Sequence, residues 1–205
     1  MSAAPKRRAT AIEDDRGLNY TVIGATLSPD VVAFPPSGFR PNTVSHRLGS
    51  GAPRFEIASR HLMTWGVMTS AGVDVDEIVA EPARSSARGV GPLFLEDGTP
   101  WITPGMTAVL SGSGTPVIDG PIKVVTVLEE PGRVGFVWGS RPGHAVAVER
   151  LFLLEHEDDD SVVFTVRSIS RPAGGRNPLA AVAQRSAQQK ADERFAKALH
   201  PSRAA

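Results

Sequence analysis

The chain has no cysteine in its 205 residues. That absence excludes disulfides, cysteine-ligated zinc and thiol catalysis, and it leaves the redox compartment open. Charge of one sign is also missing, because 22 basic and 22 acidic residues cancel. No strong field then draws the chain to nucleic acid or to an anionic membrane. No apolar run approaches the ~20 residues that span a bilayer. Residues 1–17 are charged and polar without an apolar centre, unlike a secretory leader. A soluble, cytoplasmic protein without nucleic-acid partners and without a membrane span is expected. The histidines (His46, His61, His144, His156, His200) are scattered, and no H-x-x-x-H pair occurs. Neither a metal nor a cofactor is therefore expected.

Hydrophobic residues make up 41% of the chain, enough for the core of one domain. With 20 glycines and 17 prolines the chain is rich in turns, which favours short strands over a helical bundle. Residues 1–17 read as a disordered, solvated tail, with Lys6, Arg7 and Arg8 ahead of Glu13, Asp14, Asp15 and Arg16. Residues 18–200 read as a single domain, and 201–205 as a second short tail.

Leu18 to Ala25 is a short apolar segment, followed by a Pro/Gly-rich loop to Pro41. Thr43 to Leu48 alternates like a strand. Phe55, Ala58, Leu62 and Trp65 then recur at helical spacing, which predicts a helix over residues 53–66. Beyond Gly72 the period becomes that of strands. Candidates are Val73 to Ala80, Thr107 to Leu110, Ile122 to Leu128, Val134 to Gly139, Val146 to Glu155, and Val162 to Ser170. Glu130-Pro131-Gly132 suits a tight turn, and Asp158, Asp159 and Asp160 suit a hairpin tip. Asn177 and Pro178 suit the start of a last helix. Its apolar stripe is Leu179, Val182, Ala183, Ala187, Ala191, Phe195 and Leu199, with Arg185, Lys190, Asp192, Glu193 and Lys197 elsewhere on the wheel.

Short turns make an antiparallel meander, and its apolar face needs a cover that only the long terminal helix can supply. The predicted fold is α+β: a curved antiparallel sheet of about six or seven strands gripping a long C-terminal helix. Such an arrangement often leaves a cavity between helix and sheet.

Several motifs, in order, resemble those of uncharacterised protein family 0548, also known as domain-of-unknown-function family nineteen-ninety. Leu18-Asn19-Tyr20-Thr21 with Gly24-Ala25-Thr26 resembles its opening, and Arg47-Leu48-Gly49-Ser50-Gly51 its approach to the first helix. Pro131-Gly132-Arg133 and the run from Gly135 to His144 resemble its signature strand and turn. Ser168 to Pro172 and Arg194 to Leu199 resemble its close. The family signature runs Gly-Thr-Leu-Pro-Gly-His-Pro and on through an acidic stretch to Glu-Glu. Here Ser140 and Arg141 replace Thr-Leu, Ala145 replaces the proline, and Glu149 is followed by Arg150. The missing carboxylates count against a multi-carboxylate metal site. The family implies no established activity. Its element order is similar to the helix-grip superfamily of birch-allergen, START-like and polyketide-cyclase proteins. That similarity implies a lipophilic ligand under the long helix, and in some members cyclisation, hydration or hydrolysis there.

His144 follows the rigid Pro142-Gly143 turn and is the candidate acid/base, with Glu149 as a candidate catalytic partner five residues on. A turn-capping or structural role is the alternative for both. Ser140 with His144 and Glu149 lacks the G-x-S-x-G elbow and makes no triad. Arg167 and Arg171, at even spacing, share a sheet face and either hold an anionic group or pair with Glu149 or Glu155. Phe136 and Trp138 share a face too, and either line an apolar pocket or pack against Phe195 and Leu199. The leading expectation is a small lipophilic or amphipathic molecule bound between sheet and helix. Phe136, Trp138, His144, Glu149, Arg167 and Arg171 are the candidate ligand-binding residues. A cyclase-like or hydrolytic enzyme using His144 is the first alternative, and a protein-interaction module is the second.

Overall fold

The structure is a computed structural model that describes residues 17–80, 98, 100–172 and 178–200. The tail expected at residues 1–17, apart from Gly17, the tail expected at 201–205 and the cap expected at Asn177 lie outside the described residues.

Strand β1 (Arg40–Ser50) leads into helices α1 (Ala52–Met63) and α2 (Gly66–Ser70). Strands β2 (Asp74–Val79), β3 (Thr107–Ser111), β4 (Gly120–Glu130), β5 (Arg133–Ser140), β6 (Val146–His156) and β7 (Ser161–Pro172) follow, and then helix α3 (Pro178–Ala196). The strands form one antiparallel sheet in the order β1-β7-β6-β5-β4-β3-β2. The expected strands are all present, and the expected first helix is observed as two. The break falls at Trp65, which takes the left-handed conformation with φ 64°. Gly66 sits so close to His61 that a Cβ there would lie 2.5 Å from its ring.

The expected turns have clear local causes. Gly132, at φ 71°, turns β4 into β5. At the β6–β7 tip Asp160 has φ 66°, and Asp159 accepts the Ser161 N–H at 2.9 Å. The alternation of β6 then sorts its side chains into two sets. Val148, Phe152 and Leu154 join the main core, with Leu62, Met63, Trp65 and Met68 of the helical segment and Phe195 of α3. Ala147, Leu151 and Leu153 face the other way.

That second face is covered as well, which the sequence reading did not anticipate. Tyr20, Val31 and Phe39 pack on Ala147 and Ile169. Leu18, Ile23 and Leu27 pack on Val125, Val137, Leu151 and Leu153. The segment before β1 is thus an outer layer, built around two short 3-10 turns at Ala25–Leu27 and Pro29–Val32. The helices hold the inner face, and the N-terminal segment holds the outer one.

The stripe expected on α3 is buried or packed on the core at Ala187, Ala191, Phe195 and Leu199 and departs from expectation nearer the start of the helix. Val182 is 70% exposed, and Ala183 is exposed too. The buried side is Gln188, Ala191, Asp192 and Phe195. Asp192, expected on the solvated side, is fully buried. The polar residues turn inward because the strands beneath present polar side chains: Asn42, Ser168 and Ser170.

Candidate functional site

Consecutive residues of β6 place opposite charges on opposite faces of the sheet. Glu149 points to the outer layer and Arg150 to the inner one, and neither has any exposure. Burying an ionised side chain costs several kcal/mol unless partners compensate it. The two residues are compensated to different degrees.

Glu149 is fully engaged. Its Oε1 accepts the Thr26 N–H and the Thr26 hydroxyl, both at 2.8 Å. Its Oε2 accepts the Gly24 N–H at 2.7 Å and the Tyr20 hydroxyl at 2.9 Å. The left-handed conformation of Gly24, φ 77°, helps to aim these groups at the carboxylate. Burial pushes the Tyr20 hydroxyl well above its ordinary pKa, and the adjacent Glu149 pushes the same way. Gly139 makes room for that hydroxyl, since a Cβ there would stand 2.1 Å from it. The cluster clasps the N-terminal segment to the sheet.

Arg150 is compensated in part. Its Nε donates to Asp192 Oδ1 at 2.7 Å. Asp192 Oδ2 also accepts from Asn42 Nδ2 at 2.7 Å and from the Ser168 hydroxyl at 2.5 Å. Gln188 continues the network, accepting from the Ser170 hydroxyl at 2.5 Å and donating to Ser168 at 2.7 Å. The guanidinium carbon lies 5.0 Å from the ring centre of Trp138 and 5.1 Å from that of Phe195. These rings steady the charge through cation–π attraction. Yet Nη1 and Nη2, which carry four of the five guanidinium N–H bonds, have no hydrogen-bond acceptor among the described residues. The Trp138 indole N–H is also buried without an acceptor there. Trp138 stands directly opposite Arg150 in the β5–β6 register.

His144 belongs to the same side. It is buried in the turn after β5, and its Nδ1 accepts the Val146 N–H at 3.3 Å, which leaves the proton on Nε2. Burial pushes its pKa below the ordinary value, and the Arg150 charge pushes in the same direction. The backbone of Ile118 and the charge of Asp119 oppose that shift. Nε2 faces the Ile118 backbone without a hydrogen bond of ordinary geometry among the described residues.

The residues singled out from sequence therefore divide. Phe136, Trp138 and His144 lie on the inner side, where Phe136 stacks on Phe152 at 5.0 Å between centroids and meets Trp65 at 6.1 Å. Glu149, Arg167 and Arg171 lie on the outer side. Arg167 donates from Nη1 to the Thr26 carbonyl at 3.0 Å, and Arg171 lies 5.0 Å over the Phe39 ring. The two arginines share a face as their spacing required, but they hold the outer layer. Glu149 does not orient His144: its carboxylate accepts from Tyr20, Gly24 and Thr26 of the N-terminal segment. Ser140 is buried, bonded to Asn19 at 2.6 Å and to the backbone of Val148.

Arg150, Asp192, Gln188 and Ser168 were not singled out from sequence. A signal for Arg150 was present: a charged residue at an inward position of a strand otherwise occupied by Val148, Phe152 and Leu154. Among the described residues no cluster of histidine and carboxylate side chains suits a metal ion, and no helix is long and apolar enough to cross a membrane.

The chain was compared with known families, curated proteins and solved structures. A family model described as "Domain of unknown function (DUF1990)" matches residues 19–198. A curated relative, a UPF0548 protein of Deinococcus radiodurans, is 39% identical over 67 residues; the match covers 31% of this chain and 34% of the length of that relative. Among solved structures, hypothetical protein jhp0584 of Helicobacter pylori aligns with TM-score 0.55 at 12% identity, over 88% of this chain and 96% of that one. Ara h 8.0201 aligns with TM-score 0.43 at 14% identity, over 79% and 95%.

Proposed function

The chain belongs to the DUF1990 family, a domain of unknown function with a helix-grip-like α+β fold, and from that premise we propose that it binds a small amphipathic molecule between the inner face of the sheet and α3. The observation that carries this reading is the set of buried donors at Arg150 and Trp138 left without acceptors among the described residues, in a core that holds Phe136, Phe152 and Phe195. Buried polar groups are almost always paired, so a local excess of donors marks a place for acceptor atoms from outside the protein.

Arg150 Nη1 and Nη2 are closed to solvent in this form, so the ligand enters by displacing part of the helix–sheet contact. The C-terminal end of α3 is the fixed part. Arg194 donates from Nε to the Ala71 carbonyl, from Nη2 to that of Gly72 at 3.0 Å, and from Nη1 to that of Ser113 at 3.2 Å. Arg54 holds the Leu199 carbonyl at 2.5 Å just beyond the helix. Residues 182–186 are mostly exposed, and Gln184 touches Ser170 at 3.2 Å. This end is the part that yields. Binding then shifts a helix between two positions, with the ligand's contacts supplying the difference.

A second reading, an acid/base enzyme of the same architecture, draws on one observation: burial keeps the His144 imidazole neutral, with Nδ1 held by the Val146 N–H and an Nε2–H able to polarise a substrate oxygen. It proceeds without Glu149, which lies on the other face.

Native mass spectrometry of the protein purified from cells, followed by extraction, tests the binding reading. A bound small amphipathic molecule in a one-to-one complex is expected. A bare mass, together with no rise in melting temperature across a panel of single-chain amphiphiles, would sink it.

A further inference from the structure

We propose that the Nη edge of Arg150 recognises the carboxylate head of an acid-headed amphiphile. This rests on the binding reading above and names the ligand class. Three features carry it. First, the guanidinium uses its Nε toward Asp192 and leaves the paired Nη edge, the fork that matches two oxygens of one carboxylate. Second, Asp192 is committed to other donors and does not reach the Nη edge. Its two oxygens already serve Arg150, Asn42 and Ser168, at 2.7, 2.7 and 2.5 Å. Third, the surroundings fit the remainder of such a molecule. The rings of Trp138 and Phe195 flank the charge, and Phe152 lies 5.4 Å from Phe195 and 6.4 Å from Phe164. An alkyl or aryl tail admitted by the displaced helix packs on these rings.

Charge balance separates the possible heads. Asp192 already neutralises Arg150 within the buried layer. A monoanion adds one negative charge, which the free N–H bonds of Arg150 and the Trp138 indole N–H can solvate. A dianionic phosphate adds two, which doubles the excess negative charge in the buried layer and its cost. A neutral hydroxyl accepts at most two of these N–H bonds, without charge assistance, and leaves the rest unpaired.

The test titrates the full-length protein with decanoate, 1-decanol and decyl phosphate, read by tryptophan fluorescence and by calorimetry. Decanoate is expected to bind tightest, with decanol weaker by on the order of tenfold to a hundredfold, the range for a hydrogen bond to a charged group. Arg150→Lys keeps a cation opposite Asp192 but removes the fork, and it is expected to bring decanoate and decanol to within about threefold of each other. Equal binding of decanoate and decanol to the wild type would overturn the carboxylate assignment and leave the binding reading standing. Tighter binding of decyl phosphate would overturn it in favour of a phosphate head. Binding of none of the three would overturn both. The comparison of ligands on the wild type needs no variant, so misfolding of Arg150→Lys leaves the test intact.

Discussion

Glu149 and Arg150 are neighbours in sequence, equally buried and oppositely charged, yet their surroundings are built differently. On the outer face the carboxylate receives four donors, all from the segment that precedes β1. On the inner face the guanidinium has, among the described residues, one acceptor and an edge of N–H bonds left over. A saturated charge has no capacity for another partner, so it fastens one layer to another. An unsaturated one retains capacity, and its cost of burial persists until something supplies acceptors. The outer face is therefore read as architecture and the inner face as the place of function.

The largest effect is expected where the inner pair is broken from one side. Asp192→Ala leaves Arg150 buried without its carboxylate and should cost about 3–5 kcal/mol in chemical denaturation. Arg150→Met with Asp192→Leu should cost clearly less than the two single changes together, because neither charge remains unpaired. An additive result would break the view of Arg150 and Asp192 as one unit. Glu149→Gln comes next. It replaces one acceptor oxygen by a donor and leaves a backbone N–H of Gly24 or Thr26 unpaired, at a cost of about 1–3 kcal/mol. Proteolysis within residues 18–39 should speed up in that variant while decanoate affinity stays unchanged. A change in affinity would show that the outer face is not architecture alone. Tyr20→Phe removes one of the four donors and is expected to cost about 1 kcal/mol.

The smallest effect concerns pH. Burial depresses the folded-state pKa of His144 and also that of His61, where the Arg54 charge acts the same way. The unfolded chain then binds more protons than the folded one as pH falls below the ordinary histidine value of 6.5. Stability is expected to fall from that point down to the depressed pKa values and then to level off. His144→Gln should make the slope shallower, as measured by melting temperature against pH. An unchanged slope would show that His144 does not contribute to it.

These expectations rest on contacts that differ in how visible they are in the sequence. The strands were legible because alternation and turn residues are local. Gly132 and Asp160 act within a few residues, and the shared face of Arg167 and Arg171 follows from a period of two. The buried side of α3 was not. A stripe of apolar residues pointed to Val182 and Ala183, whereas the sheet beneath offers Asn42, Ser168 and Ser170 and draws Gln188 and Asp192 inward. Whether a polar residue is buried depends on what faces it, and those partners are 18 to 150 residues away. The same holds for Glu149, whose donors stand 123 to 129 residues earlier in a loop with no period to read. The likeness of the signature turn pointed to His144 and Glu149 together. The pleat of β6 sends Glu149 to the outer face, away from the inner-face cluster that His144 joins.

The most direct test of the division between faces is hydrogen exchange of the full-length protein with and without saturating decanoate, followed peptide by peptide. The account predicts slower exchange in α3 and in its partner strand β7, with residues 18–39 unchanged. Protection of residues 18–39 with α3 unaffected, or no protection anywhere, would contradict it.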